Sequence, residues 1–146
     1  MTSIHTEFNL ELYPRVYIAD FMNIPSYTDT PIILHIDENI EDPDDLHKLL
    51  YIIHNSRVPI IAYIDTDLMG HNTFIPLLCK YKVMGKNGAY VIGSNGRNNF
   101  VGNLQRKYVE QFMKYSPLGK EVMNKIMGRR INGMAALNLG LIDRII

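Results

Sequence analysis

The stretch "IDTDLMGHNTF" (Ile64–Phe74) holds the residues best suited to chemistry: His71 directly after Gly70, with Asp65 and Asp67 just upstream. An imidazole at the start of a helix is disfavoured as imidazolium by the helix dipole, so it stays neutral and can accept a proton. Asp67 or Asp65 could then orient the ring. The competing reading is a capping turn, where Asp and His are common for local reasons. His35 and Asp37 alternate on an apolar run and so share a face. A metal site needs at least three protein ligands, and no third is evident, so no metal is expected. Ser94 and Ser116 have no His nearby in sequence and read as loop or cap residues. Cys79 is the single cysteine and reads as a packed thiol rather than a nucleophile.

The 146 residues are 47% apolar and 21% charged, ordinary values for one globular domain over 1–146. One cysteine excludes an internal disulfide framework and fits a reducing compartment. The segment "MTSIHTEFNLEL" lacks a basic leader pattern, and no apolar run approaches the roughly 20 residues of a membrane span. A cytoplasmic protein is therefore expected. Net charge is zero, yet residues 1–79 carry three Lys and Arg against twelve Asp and Glu, a balance of −9. Residues 80–130 carry eleven against two, a balance of +9. That asymmetry is a solvated dipolar surface, an anion site, or attraction between copies. Nucleic acid is not expected, because the basic half lacks a reading motif.

The elements that must position these residues follow from periodicity. "RVYIADF" (Arg15–Phe21) and "PIILHID" (Pro31–Asp37) read as strands, the second as a buried parallel one. In "EDPDDLHKLLYIIHN", Asp42 suits an N-cap, Pro43 the first helical position, and Asp44 and Asp45 the positive end of the dipole. Leu46, Leu49, Leu50 and Ile53 form one apolar stripe. "VPIIAYID" (Val58–Asp65) completes a βαβ unit. A turn then leads into a helix over Asn72–Lys80, followed by short strands "YKVM" and "AYVIG" joined by "GKNG". "SNGRNN" is a polar loop. Helices are predicted over Asn103–Tyr115, Pro117–Met127 and Gly133–Leu139, the last closed by Gly140, before a final strand "LIDRI". The class is α/β with a mainly parallel sheet.

Three segments resemble the crotonase family, the enoyl-CoA hydratase/isomerase-like proteins within the wider Clp-peptidase/crotonase group. "GRRINGMAALNLGLIDRII" (Gly128–Ile146) is similar to that family's Gly-x-x-Ile-Ser-Ala-x-x-Ala-x-x-x-Gly-Leu-Val-Asp segment. "VPIIAYIDTDLMG" (Val58–Gly70) is similar to its Pro-Val-Ile-Ala-Ala-Val-x-Gly strand and turn. "LLCKYKVMGKNGAYV" (Leu77–Val91) is similar to its helix end and the strand pair beyond. The resemblance implies a core of ββα units that lacks the family's C-terminal helices.

It also implies a chemistry. The family stabilises an enolate oxygen with two backbone N–H groups and moves protons with carboxylates. In register, one N–H belongs to the turn Gly70–His71–Asn72, with His71 as donor. The other falls within "ENIEDP", at Glu38 or Asn39, where the family's Gly-Ala-Asp loop is absent. The two hydratase glutamates fall on Phe74 and Asn95, and neither can transfer a proton. The nucleophilic Ser of a Clp-type peptidase would fall on Leu68. Lys80, Lys82, Lys86, Arg97, Arg129 and Arg130 are the cations available for the phosphates of a CoA. No resident cofactor is implied; the ligand would be an acyl-CoA or acyl-carrier thioester. Three roles follow. One is a non-catalytic crotonase-like subunit in a homo-oligomer, such as a trimer, or in a complex with a larger crotonase-like or biosynthetic enzyme. A second is a divergent isomerase, decarboxylase or hydratase that uses His71 with Asp67. The third is a degenerate peptidase-like module.

Overall fold

The structure is a computed structural model, and it describes residues 9–93 and 102–146. Its centre is a five-stranded, all-parallel sheet in the order β1-β2-β3-β5-β8. The strands are β1 (Arg15–Tyr17), β2 (Ile32–Ile36), β3 (Ile60–Ile64), β5 (Tyr81–Met84) and β8 (Arg144–Ile145). A smaller sheet holds β4 (Asp67–Met69), β6 (Ala89–Val91) and β7 (Arg130–Ile131), with β4 parallel and β7 antiparallel to β6. Every residue of β2 is buried, as a central parallel strand covered on both faces requires.

Helix α1 (Pro43–His54) links β2 to β3 and begins where its sequence says it should. Asp42 Oδ1 accepts from the Asp44 N–H at 2.8 Å, and Pro43 occupies the first turn, where a missing N–H does no harm. Leu46, Leu49 and Ile53 bury against the sheet, and each contributes about 1.5–3 kcal/mol of transfer free energy. Helices α2 (Phe74–Leu77), α3 (Gly102–Tyr115), α4 (Lys120–Ile126) and α5 (Gly133–Leu139) complete the fold. Gly140 closes α5 at φ 78°, the left-handed conformation that favours glycine.

The structure departs from the sequence reading at several points, among them the helix read from Pro117, which starts at Lys120, and the last strand, which is confined to Arg144–Ile145. The first strand ends at Tyr17, and 3-10 turns follow over Ile18–Ser26. Ile18, Phe21 and Ile24, three residues apart, turn to the core there, a period matching the 3-10 repeat rather than a strand. The helix anticipated over Asn72–Lys80 starts earlier, with a 3-10 turn at Gly70–Thr73, and stops at Leu77. By residue 80 the chain is already pairing: the Lys80 N–H donates to Ile60 O at 2.9 Å. "YKVM" and "AYVIG" do not pair with each other. β5 joins the large sheet and β6 the small one. The intervening turn runs against β3, where a Cβ on Gly88 would stand 2.3 Å from Ile64 O, so only glycine fits. Strands β4 and β7 carry no alternating pattern long enough to read. The loop "SNGRNN" lies outside the described residues.

Candidate functional site

The chain leaves β4 through Gly70, whose φ of 57° needs glycine, and enters the 3-10 turn that carries His71, Asn72 and Thr73. Beside it runs the loop after β2. Two asparagines stitch these segments together. Asn72 Oδ1 accepts from the Ile40 N–H at 2.8 Å, and Asn72 Nδ2 donates to Ile40 O at 3.0 Å. From the opposite side, Asn39 Nδ2 donates to Asp67 O at 2.7 Å and Asn39 Oδ1 accepts from the Met69 N–H at 2.9 Å. Each side-chain amide mimics a strand neighbour, saturating one backbone donor and one acceptor. The loop that should offer the second oxyanion N–H therefore has the Ile40 amide already bonded.

Below the turn lies a satisfied hydroxyl chain. The single proton of Thr73 Oγ1 goes to Gly70 O at 2.8 Å, so the Tyr108 hydroxyl donates to Thr73 Oγ1 at 2.6 Å. Burial raises the Tyr108 pKa to about 12, against the opposing pull of the Thr73 and Gly93 hydrogen bonds, so the phenol stays protonated. Phe74 is only 6% exposed and packs edge-on against Tyr108 at 5.3 Å and against Phe112 at 5.9 Å. It fills the core instead of facing a ligand. His71 caps this aromatic group, 5.7 Å from Phe74 and 5.6 Å from Tyr108, and burial of its ring lowers its pKa. The ring is thus neutral at pH 7 and can accept a proton.

A cleft of about 560 Å³ opens between the two stitched segments and α1. Asn39, Gly70 and His71 line it, over a floor of Ile40, Leu46, Leu50 and Met69. A second concavity of about 650 Å³ adjoins through Asn39, Ile40, Glu41 and Met69, and its wall includes Asp37, Glu38, Asp42 and Asp45. Among the described residues, no Lys or Arg lines either space. No group of three or more His, Cys, Asp or Glu side chains positioned for a metal ion occurs among them either.

The structure thus brings Asn39, Gly70 and His71 to one cleft. Asp67 does not orient His71: its carboxylate meets Arg130 Nε at 3.1 Å. That same bond commits Arg130. Lys82 Nζ donates to Cys79 O at 3.2 Å, away from the cleft. Lys80, Lys86 and Arg129 are exposed and line neither concavity. Asn95 and Arg97 lie outside the described residues. Leu68, at the place of a peptidase serine, is fully buried. Cys79 is buried, and desolvation raises its thiol pKa to about 12, against a lesser effect of Lys82. His35 and Asp37 do not form a pair. His35 Nε2 bonds Asp65 Oδ2 at 3.0 Å, and its Nδ1 meets Arg15 Nη1. The Asn39–Asn72 stitching and the Thr73–Tyr108 contact were not legible in sequence; the only signal was two asparagines in the loops following strands.

No protein-family model matches the chain, and no curated protein matches it in sequence. Solved structures do. A monofunctional enoyl-CoA isomerase from M. smegmatis is 15% identical with a TM-score of 0.64, the match covering 88% of this chain and 60% of that one. ThnE from S. clavuligerus is 18% identical, TM-score 0.63, covering 90% of this chain and 70% of that one. A probable enoyl-CoA hydratase/isomerase from Mycobacterium abscessus is 15% identical, TM-score 0.64, covering 88% and 56%. The chain thus spans 60% and 56% of the length of the two mycobacterial proteins. The likeness is one of architecture, and it agrees with the parallel sheet: this chain carries the crotonase fold of the enoyl-CoA hydratase/isomerase structures.

Proposed function

We propose that this chain is a crotonase-fold subunit without hydratase activity, a pseudoenzyme that serves assembly around acyl-thioester chemistry. The observation that carries this reading is Phe74, which stands where a proton-transferring glutamate would be needed and is buried. Three further features agree with it. The loop after β2 is tied to the Gly70 turn, its Ile40 amide donating to Asn72 Oδ1 at 2.8 Å. Asp67 is held by Arg130. The carboxylates around the adjoining concavity oppose the phosphates of a CoA. The test is incubation of the purified chain with crotonyl-CoA while following loss of the enoyl absorbance. No turnover above the uncatalysed rate is expected; a rate that scales with protein concentration would overturn the reading.

One observation favours a second reading, a divergent isomerase or decarboxylase. His71 is exposed at its edge, neutral, and borders the cleft beside a glycine turn. If its imidazole is the base, His71→Ala spares thioester binding and removes turnover. In that reading His71→Pro, which deletes the backbone N–H, removes binding as well.

A further inference from the structure

The loop 37–45 carries Asp37, Glu38, Glu41, Asp42, Asp44 and Asp45, all exposed except the half-buried Asp45. None lies within 4.0 Å of a cation among the described residues; the ion pairs there are His35–Asp65 and Arg130–Asp67. Glu41 lines the cleft whose floor is formed by Ile40, Leu46, Leu50 and Met69, and Asp37, Glu38, Asp42 and Asp45 line the concavity that adjoins it. The helices α3 and α4 are mainly basic. Arg106, Lys107, Lys114, Lys120, Lys125 and Arg129 on or beside them are exposed, against the two exposed acids Glu110 and Glu121, and none of the six is ion-paired among the described residues. At the end of α3 stands Tyr115, 47% exposed, with Lys114 Nζ 5.6 Å from its ring centroid. One copy therefore presents an acidic rim along one side of an apolar floor, and also a mainly basic surface bearing an exposed aromatic.

We infer that the cleft of one copy receives the α3–α4 surface of a second copy, with Tyr115 seated on the apolar floor and the lysines against the acidic rim. Within one copy the two charge sets do not pair, and each repels itself. Between copies each offsets the other, and a tyrosine entering an apolar pocket is a usual interface anchor. A two-fold arrangement satisfies both sets of both copies at once, whereas a head-to-tail series leaves one set free at each end. The inference goes beyond the absence of hydratase activity, because it names what covers the cleft.

Sedimentation velocity of the full chain tests it between about 0.01 and 1 M salt, over which the screening length shrinks from about 30 to 3 Å. At low salt the mass is expected at twice that of the chain or more, falling to the monomer at high salt. Glu38→Lys/Glu41→Lys/Asp45→Lys and, separately, Lys107→Glu/Lys114→Glu/Lys125→Glu should each abolish association. Mixing the two variants should restore it, a rescue that an unfolded variant cannot give. Tyr115→Ser should weaken association at least tenfold. A chain that stays monomeric at low salt, or associates regardless of charge reversal, overturns the contact. A monomer that leaves crotonyl-CoA untouched ends this inference and spares the functional reading; an assembly that hydrates crotonyl-CoA does the reverse.

Discussion

Two histidines stand in contrasting surroundings. His35 has the carboxylate: Asp65 accepts from its Nε2 at 3.0 Å. Its Nδ1 faces the Arg15 guanidinium, which has only donors, so Nδ1 is the acceptor and the proton sits on Nε2. But the ring is stacked between Tyr17 and Tyr63, both centroids at 4.7 Å, and the residue is 8% exposed. His71 has the cleft and an exposed edge, while Asp67, the carboxylate nearest to it in sequence, is bound to Arg130. The Asp65 bond of His35 and the cleft at His71 thus sit on different parts of the molecule. A histidine beside an aspartate identifies a well-satisfied group; only its place relative to a cavity makes it a candidate for catalysis.

Perturbing each region sharpens that contrast. Phe74→Ala removes the ring on which His71 and Tyr108 rest and should cost about 3–5 kcal/mol, read from denaturant unfolding. A loss under about 1 kcal/mol would show that the aromatic group does not hold the turn. Asn72→Ala leaves the Ile40 N–H and C=O without their side-chain bonds, and a destabilisation of about 1–3 kcal/mol is expected. If the variant also gains affinity for an acyl thioester, the tie between the loop and the turn is what keeps the thioester out. Asp65→Ala, on the other histidine, should cost only about 1 kcal/mol, because its partly exposed carboxylate is screened. It should leave any thioester binding unchanged, and a change would join two regions that the geometry separates.

The smallest effect is one of pH. Burial depresses the folded-state pKa of His71 below its ordinary value of 6.5, so the unfolded chain binds the proton more readily. The stability it contributes is full above pH 6.5 and is lost as pH falls from there through the lowered folded value. His71→Gln should remove that part of the slope; an unchanged slope would show that the ring is not desolvated.

The fold was legible where local chemistry and burial agree. The cap at Asp42–Pro43, the apolar runs of β2 and β3, and the Gly140 stop each carry their cause in adjacent residues. Of these, β3 and the Gly140 stop also lie in the segments that resemble crotonases, and the architecture follows that resemblance. Strands β4 and β7 were not legible because they are two or three residues long and exist only through pairing with β6. The "GKNG" turn reads as a hairpin until the close approach of Gly88 to β3 sends the chain from one sheet to the other. The site divides in the same way. Gly70 and His71 follow from the turn, but the Asn39 and Asn72 bonds join residues about thirty positions apart, a separation that no local pattern encodes.

The reading to be tested is that this cleft no longer serves an acyl thioester: Phe74 is buried at the place of a glutamate, and Asn72 ties the loop after β2 to the turn. Calorimetric titration of the wild-type chain with crotonyl-CoA, against CoA alone, tests it most directly, with the mass in solution measured beforehand. No heat that depends on the acyl group is expected. Saturable, acyl-dependent binding, undiminished in Asn72→Asp, which keeps the oxygen that accepts from Ile40, would contradict it.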